Sequence, residues 1–293
     1  MKKKLDARAM LCISMVIFGT IGLFTRFIGV SSGELALYRA VMAAALIGGY
    51  LMITGQKIDF KGIGKELPLL LLSGAAMGVN WILLFQAYRY TTISVATLSY
   101  YFAPVIVTVV SPVIFREKLT HKQLVCFVMS TVGLVMITGI GGLSDSGTDM
   151  LGILFGLGAA VLYATVVLLN KAIKHVTSIH RTFLQFLAAI VTLVPYVALT
   201  GGMTLEKLDG LGWVCLIAVG VIHTGITYCL YFASLKELPG QKVAILSYID
   251  PLVAVVVSLC LKETMTVTQI IGGILILGFT LLSELPIRDK KQD

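Results

Sequence analysis

Two formal charges stand deep inside apolar sequence, where charge is costly. Asp250 sits directly before Pro251 in "ILSYIDPLVAVVV" (residues 245–257), and Arg39 interrupts "LALYRAVMAAAL" (residues 35–46). A charge at the centre of a bilayer costs about 2.5–3.5 kcal/mol on insertion scales, so each needs a partner, water or a task. Asp250 is an acid able to hold or release a proton during a cycle, or to meet the charge of a bound molecule. Its alternative is a purely structural role, receiving backbone donors or pairing with Arg39. Arg39 lies five residues past Glu34. It has three readings: pairing with Glu34, snorkelling to the surface, or binding a substrate carboxylate.

Uncharged polar and aromatic residues form a second set. In "VIHTGITYCLYFAS" (residues 221–234), His223, Thr227 and Tyr231 recur every four residues, which is one helical face, and Tyr228 follows Thr227. Asn80 and Trp81 form a similar pair earlier in the chain. Tyr163 and Asn170 share a face seven apart, as do Thr97 and Tyr101 four apart, and Tyr248 precedes Asp250 by two. Rings attract cations and amides fix orientation, so the set suits a cavity for a small cation or zwitterion with an apolar part. The same residue types also hydrogen-bond helix to helix, and aromatics near span ends anchor at the interface. Taken together, the expectation is a cavity lining. Pro104 and Pro251 remove backbone donors and permit bending, as hinges or as static kinks.

Composition says which elements carry these residues. Of 293 residues, 57% are hydrophobic and 13% charged, with a mean hydropathy of +0.94. Soluble domains carry about 25% charged residues, so this chain reads as an integral membrane protein. Ten stretches approach the roughly 20 apolar residues that a helix needs to cross the hydrocarbon. They are about 9–29, 34–54, 67–87, 93–114, 121–142, 150–171, 180–200, 210–233, 243–261 and 266–286. The first reads as a retained span rather than a cleaved signal. Eighteen of the 23 Lys and Arg residues fall on one side of this arrangement. Basic loops stay cytoplasmic, so both termini are expected inside, and topology rather than nucleic acid accounts for the net charge of +8. The loop "GLSDSGTD" (residues 142–149), with two acids and no base, fits the outside.

The five cysteines, Cys12, Cys126, Cys215, Cys229 and Cys260, lie in apolar segments without a CxxC pair, so neither a disulfide framework nor a metal site is expected. No GxSxG, HExxH or phosphate-binding loop occurs. The sequence gives no sign of an enzyme, a cofactor or direct ATP hydrolysis.

The two halves resemble each other. "VSPVIFREKLTHKQL" (residues 110–124) matches "VVSLCLKETMTVTQI" (residues 256–270), with Arg116/Lys262, Glu117/Glu263, Thr120/Thr266 and Gln123/Gln269 at a shift of 146. Phe85/Phe232 and Pro104/Pro251 pair at 147, and Phe18/Tyr163 and Arg26/Lys171 at 145. Five spans per half force the second half to enter the membrane upside down. The expected fold is an all-α membrane protein of ten transmembrane helices, in two inverted-topology five-helix repeats at 1–145 and 146–293. Inverted repeats are an architecture of secondary transporters. Gly74/Gly78 and Gly152/Gly156 read as small-xxx-small packing pairs.

"YRYTTISVATLSYYFAPVIVTVVSPVIFREKLT" (residues 88–120), "LKELPGQKVAILSYIDPLVAVVVSLCLKETMT" (residues 235–266) and Arg39 in the second span resemble the EamA group of the drug/metabolite transporter superfamily. The resemblance implies a transporter of amino acids, amines or other small metabolites, often outward and in some members proton-coupled. It also implies that spans 1–4 and 6–9 line a central cavity, with spans 5 and 10 peripheral. The expected partners are a small-molecule substrate and the lipid bilayer, with room for protons and for a second copy of the chain, and no nucleic acid. A flippase or transporter of a lipid-linked or nucleoside-type substrate is the alternative. A membrane-embedded lipid enzyme would need a reactive cluster at one interface, whereas these polar residues are spread across the midplane.

Overall fold

The structure is a computed structural model of the chain and describes residues 6–58, 62–116, 120–138, 148–201, 203–235, 237–238 and 246–285. Much of the charge asymmetry, including Lys2, Lys3, Lys4, Lys242 and Arg288, and most of the 142–149 loop lie outside these residues. So does Glu117. Among the described residues there are helices and turns and no strand.

The helices are α1 (Ala7–Gly19), α2 (Ile21–Thr25), α3 (Ser32–Ile53), α4 (Leu67–Tyr90), α5 (Ile93–Tyr100), α6 (Ala103–Phe115) and α7 (His121–Thr138). Then follow α8 (Thr148–Ala172), α9 (Ser178–Thr200), α10 (Gly210–Ile217), a π-helical stretch (Ala218–Ile226), α11 (Thr227–Leu235), α12 (Ile249–Cys260) and α13 (Val267–Glu284). Seven segments are long and apolar enough to cross a membrane: Ala7–Thr25, Ser32–Ile53, Leu67–Tyr90, Ile93–Phe115, Asp149–Ala172, Ile179–Thr200 and Gly210–Tyr231. Shorter apolar helices, His121–Ile137, Ile249–Cys260 and Val267–Ser283, stand at the fifth, ninth and tenth expected spans.

Among the described residues, four of the expected spans are not continuous α-helices; the ninth carries a turn at Tyr248 just before α12. The first breaks at Thr20, whose hydroxyl turns back to the Ile17 carbonyl. The fourth breaks at Tyr101–Phe102, because Pro104 lacks the N–H to continue the ladder and starts α6 instead. The eighth widens into π turns, where Thr224 and Thr227 donate to carbonyls five residues back, Val219 and Ile222.

Local devices recur at the sequence shift. Ser31 and Thr177, 146 apart, are the N-cap residues of α3 and α9. Thr120 with Gln123 and Thr266 with Gln269 form reciprocal caps at the starts of α7 and α13. Among the described residues, the non-glycine residues with left-handed backbone are Arg116 (φ 55°) and Lys262 (φ 58°), which follow α6 and α12 respectively. Such a conformation costs an L-residue roughly 1 kcal/mol, so its recurrence at one repeat position marks a shared constraint rather than local accident.

Packing interlaces the halves. α1 lies against α11 and α12, while α8 lies against α4, α5 and α6. α9 packs on α3 and α4, and α5 meets α12. α7 and α13 pack together, with Gly133 and Gly272 so close that a Cβ on Gly133 would lie 2.6 Å from the Gly272 carbonyl oxygen. Gly74 and Gly78 let α4 approach α9, and Gly152 and Gly156 let α8 approach Thr91 and Ser99. These glycines are packing surfaces, as the small-residue spacing suggested.

Candidate functional site

Where α1, α4, α5 and α12 converge, the bundle encloses a cavity of about 300 Å³. Its lining includes Arg39 and Asp250, and the rings of Phe18, Trp81, Tyr88, Tyr100, Tyr101, Tyr163, Tyr228 and Tyr248. Helix breaks explain why so many rings reach one place. The turn after α5 points Tyr100 and Tyr101 at a common space, with ring centres 6.1 Å apart, and the turn at Tyr248 does the same from the other half. Tyr100 stacks on Tyr163 at 5.3 Å and Tyr101 faces Tyr248 at 6.4 Å. Phe186 bridges Trp81 and Tyr228, at 5.5 and 5.4 Å.

Asp250 lies in the first turn of α12. Its carboxylate accepts from the Tyr101 hydroxyl at 2.7 Å. The same hydroxyl lies 3.3 Å from the Ser247 carbonyl. Ser247 is four residues before Pro251, which has no N–H for the helical ladder, so the proline leaves this carbonyl to other donors. Asp and Pro side by side therefore set two acceptors before one tyrosine. Gly19 of α1 packs against this turn: a Cβ there would lie 2.5 Å from the Asp250 carbonyl oxygen.

Arg39 is 3% exposed. Its Nε donates to Thr224 at 3.1 Å, and its guanidinium lies 4.4 Å over the Trp81 ring and 5.3 Å from that of Phe85. The pairing with Glu34 does not occur, because the Glu34 carboxylate is taken by the Ser31 and Thr204 backbone N–H groups and the Thr204 hydroxyl. Arg39 and Asp250 line one cavity without forming an ion pair.

Of the residues singled out from sequence, Arg39, Trp81, Thr97, Tyr101, Pro104, Tyr163, Tyr228, Tyr248 and Asp250 line this cavity. The others do not. Asn80 is 1% exposed and donates to the Ala159 carbonyl of α8 at 2.6 Å. Thr227 is fully buried, its hydroxyl spent on Ile222 and its carbonyl 3.4 Å from the Ser14 hydroxyl of α1. These are helix-to-helix bonds at corresponding crossings of the two halves. Asn170 accepts from Gln185 at 2.7 Å, with Ser73 in the same cluster between α4, α8 and α9. His223 pairs with Thr20 at 3.0 Å and with the Ala218 carbonyl, against Phe24. Tyr231 lies behind the lining, 6.3 Å from Phe18. The expected face of His223, Thr227 and Tyr231 assumed an unbroken α-helix, and the π turns rotate His223 away from it. Pro251 is buried in its turn.

Sequence reasoning missed Tyr88 and Tyr100. Tyr88 reads as a span-end anchor in "YRY", yet its hydroxyl reaches Thr97 at 3.4 Å inside the bundle. Tyr100 neighbours the selected Tyr101, and the break imposed by Pro104 was the signal that both could face inward.

A second, wider cavity of about 600 Å³ lies beyond Tyr88, which borders both. Its walls carry Arg26, Arg89, Asp149 and Glu263. Among the described residues no cluster of His, Cys, Asp and Glu could hold a metal ion.

An apolar helical bundle with an aromatic, charged hollow at its centre is a multi-pass membrane protein with an internal cavity. Comparison with known proteins names the kind. The sequence model of the EamA-like transporter family matches residues 7–139 and again 150–284, and the chain belongs to that family. It is 31% identical over 281 residues to the uncharacterized transporter YxxF of Bacillus subtilis (strain 168), covering 93% of this chain and 89% of that one. An uncharacterized transporter of Archaeoglobus fulgidus is 28% identical, covering 94% and 95%. The uncharacterized inner membrane transporter YhbE of Escherichia coli (strain K12) is 25% identical, covering 74% and 68%. A crystal structure that matches with a TM-score of 0.66 and 16% identity, over 94% of this chain and 96% of the other, shares the fold.

Proposed function

We propose that the protein is a secondary active transporter that carries a small amino acid or amine out of the cell by alternating access, coupled to protons at Asp250. The single observation behind this reading is the cavity that holds Arg39, Asp250 and paired aromatic walls together. Arg39, anchored through Nε, offers its remaining donors to a carboxylate. Asp250 and the tyrosine rings take an ammonium group. When Asp250 takes up a proton, the Tyr101 hydroxyl turns to the Ser247 carbonyl, so the contact between α5 and α12 reports the charge state. Pro104 and Pro251 start new helices at this level and act as the hinges. Ten crossings, in two inverted five-helix repeats at 1–145 and 146–293, with both termini cytoplasmic in the cell membrane, complete the reading. The repeated caps and left-handed turns support it.

The test is reconstitution in liposomes with labelled amino acids, amines, nucleosides and lipid-linked sugars under imposed pH gradients. The expected result is movement of an amino acid or amine, accelerated by the gradient in the wild type and indifferent to it in Asp250→Asn. Arg39→Gln will lose carboxylate-bearing substrates about tenfold or more, as expected for one charged hydrogen bond. Movement only of lipid-linked or nucleoside-type substrates, or of no solute, overturns the reading.

A further inference from the structure

The segments "REKLT" and "KETMT" pair across the sequence repeat, and the structure gives the acid of the second a specific task. Glu263 follows α12 directly after left-handed Lys262. Its carboxylate forms an ion pair with Arg26 at the end of α2. It also accepts from the Ile93 N–H at the start of α5, at 3.0 Å, and from the Ser258 hydroxyl of α12. One side chain thus ties together the ends of α2, α5 and α12. The first two belong to one half of the chain and the third to the other. Arg26 and Glu263 both stand in the wall of the 600 Å³ cavity that lies beyond Tyr88. The Glu263 side chain is 7% exposed and Arg26 37% exposed, so the pair is half withdrawn from water.

Two further facts point to a gate rather than a passive brace. α5 and α12 are the helices that carry Tyr101 and Asp250 at their inner ends, so the tie acts on the elements that shape the cavity. The sequence shift also carries Arg26 to Lys171 and Ser258 to Ser111, and Lys171 donates to Ser111 at 2.8 Å. A basic residue and a serine therefore meet at the corresponding place of the other half.

We propose that Arg26 and Glu263 form a latch that holds one end of the bundle shut across the two halves and must break for the cavity to open there. The proposal rests on the alternating-access reading above. In the closed position Glu263 holds α12 against α2 and α5. In the open position Glu263 parts from Arg26 and from the Ile93 N–H, and Ser258 of its own helix remains as a partner for the acid. Lys171 serves the counterpart at the opposite end.

The experiment uses the full chain with the five native cysteines replaced by alanine and a reporter cysteine at Ala103, which lines the central cavity. An impermeant maleimide is added from one side or the other of oriented vesicles. Arg26→Ala leaves the Ile93 and Ser258 contacts in place and removes only the ion pair. It is expected to raise labelling from the Glu263 side roughly threefold to tenfold, with a matching fall from the other side, in keeping with a partly exposed pair. Arg26→Lys will restore the slow rate, and Lys171→Ala will shift labelling the opposite way. Wild-type labelling rates in Arg26→Ala, or a change that Arg26→Lys fails to reverse, overturn the latch. If Arg26→Ala does not fold, Arg26→Gln is scored by the same criteria. A wild-type reporter that labels from one side only overturns alternating access itself, and the latch with it.

Discussion

The two halves of this protein share their walls and not their charges. Around the cavity, Phe18 answers Tyr163, Trp81 answers Tyr228 and Tyr101 answers Tyr248, each at the repeat spacing. Asp250, however, corresponds to Ala103, and Arg39 to Gln185, which lies outside the cavity in a cluster with Ser73 and Asn170. In the alternating-access reading proposed above, aromatic surface serves both sides of a central site, since rings pack against either face of a solute. A charge needs to exist only once per bound molecule, and a second copy would be a second desolvation cost. The repeat therefore builds the container from both halves, while the acid stands in one half and the base in the other.

That contrast can be broken first at its chemical end. Asp250→Ala is expected to reduce transport by about a hundredfold, the loss of roughly 3 kcal/mol of charged interaction. Moving the acid across the repeat, with Asp250→Ala and Ala103→Asp together, will not restore it. Tyr101 would then share a half with the acid instead of facing it from the other, and Tyr100 would stand where the second half has Ser247. Rescue of transport in liposomes by the relocated acid would show that the halves are chemically interchangeable.

A smaller effect tests the container. Gly19 of α1 and Ala164 of α8 stand at equivalent positions, yet only the first has no room for a methyl group. Ala164 already packs beside Ala103 and Ala160. Gly19→Ala will cost about 2 kcal/mol through overpacking and displace the Asp250 turn, whereas Ala164→Gly will cost about 1 kcal/mol or less. Thermal unfolding of the purified variants in detergent measures both, and equal losses would erase the asymmetry.

The crossings are more alike and should differ least. Asn80→Ala removes a 2.6 Å bond to Ala159, while Ser14→Ala removes a 3.4 Å approach to Thr227. The first is expected to cost about 1 kcal/mol and the second under half of that, by the same unfolding assay. A reversed order would mean that the hydrogen bonds are incidental to these contacts.

The smallest effect lies outside the membrane. Glu66, at the start of α4, accepts from the Lys174 and His175 N–H groups and from the His175 ring, joining the first half to the loop after α8. The Lys174 N–H above all, with the His175 contacts, holds its carboxyl below the ordinary value of 4.5. A depressed acid stabilises the fold above its unfolded value, and that stabilisation is lost as pH falls through the lower folded value. Glu66→Gln will flatten this acid limb by giving up the same small increment near neutrality, so that variant and wild type converge at low pH. An unchanged acid limb in the variant would assign the loss to other groups.

The apolar runs, the repeat and the two charges within apolar spans, Arg39 and Asp250, were legible in the sequence because each is a local pattern or a simple count. Nine of the selected residues line the cavity, and seven of them are aromatic or charged: such side chains inside apolar helices have few places to go. Asn80, Thr227, Asn170 and His223 were misread as lining because a polar residue in a span can face a cavity or a neighbouring helix, and spacing alone does not distinguish them. His223 carried a further trap. Its face was drawn at α-helical pitch, and nothing in "AVGVIHTGI" announces π turns. Glu263 was visible as half of a repeat pair, but its three partners come from α2, α5 and α12, which only folding brings together.

The interlacing of the halves bears on how the protein is made. Ribosomes deliver the chain from one end, so α1 enters the bilayer long before its neighbours α11 and α12 exist. Ser14 waits 213 residues for Thr227, Asn80 waits 79 for Ala159, and Ile93 waits 170 for Glu263. Until then the first half exposes polar groups and rings to lipid, or to whatever assists insertion, and is not a finished domain. A lesion late in the gene would therefore leave a half-built bundle, marked for removal by the same unpaired groups that later secure the whole.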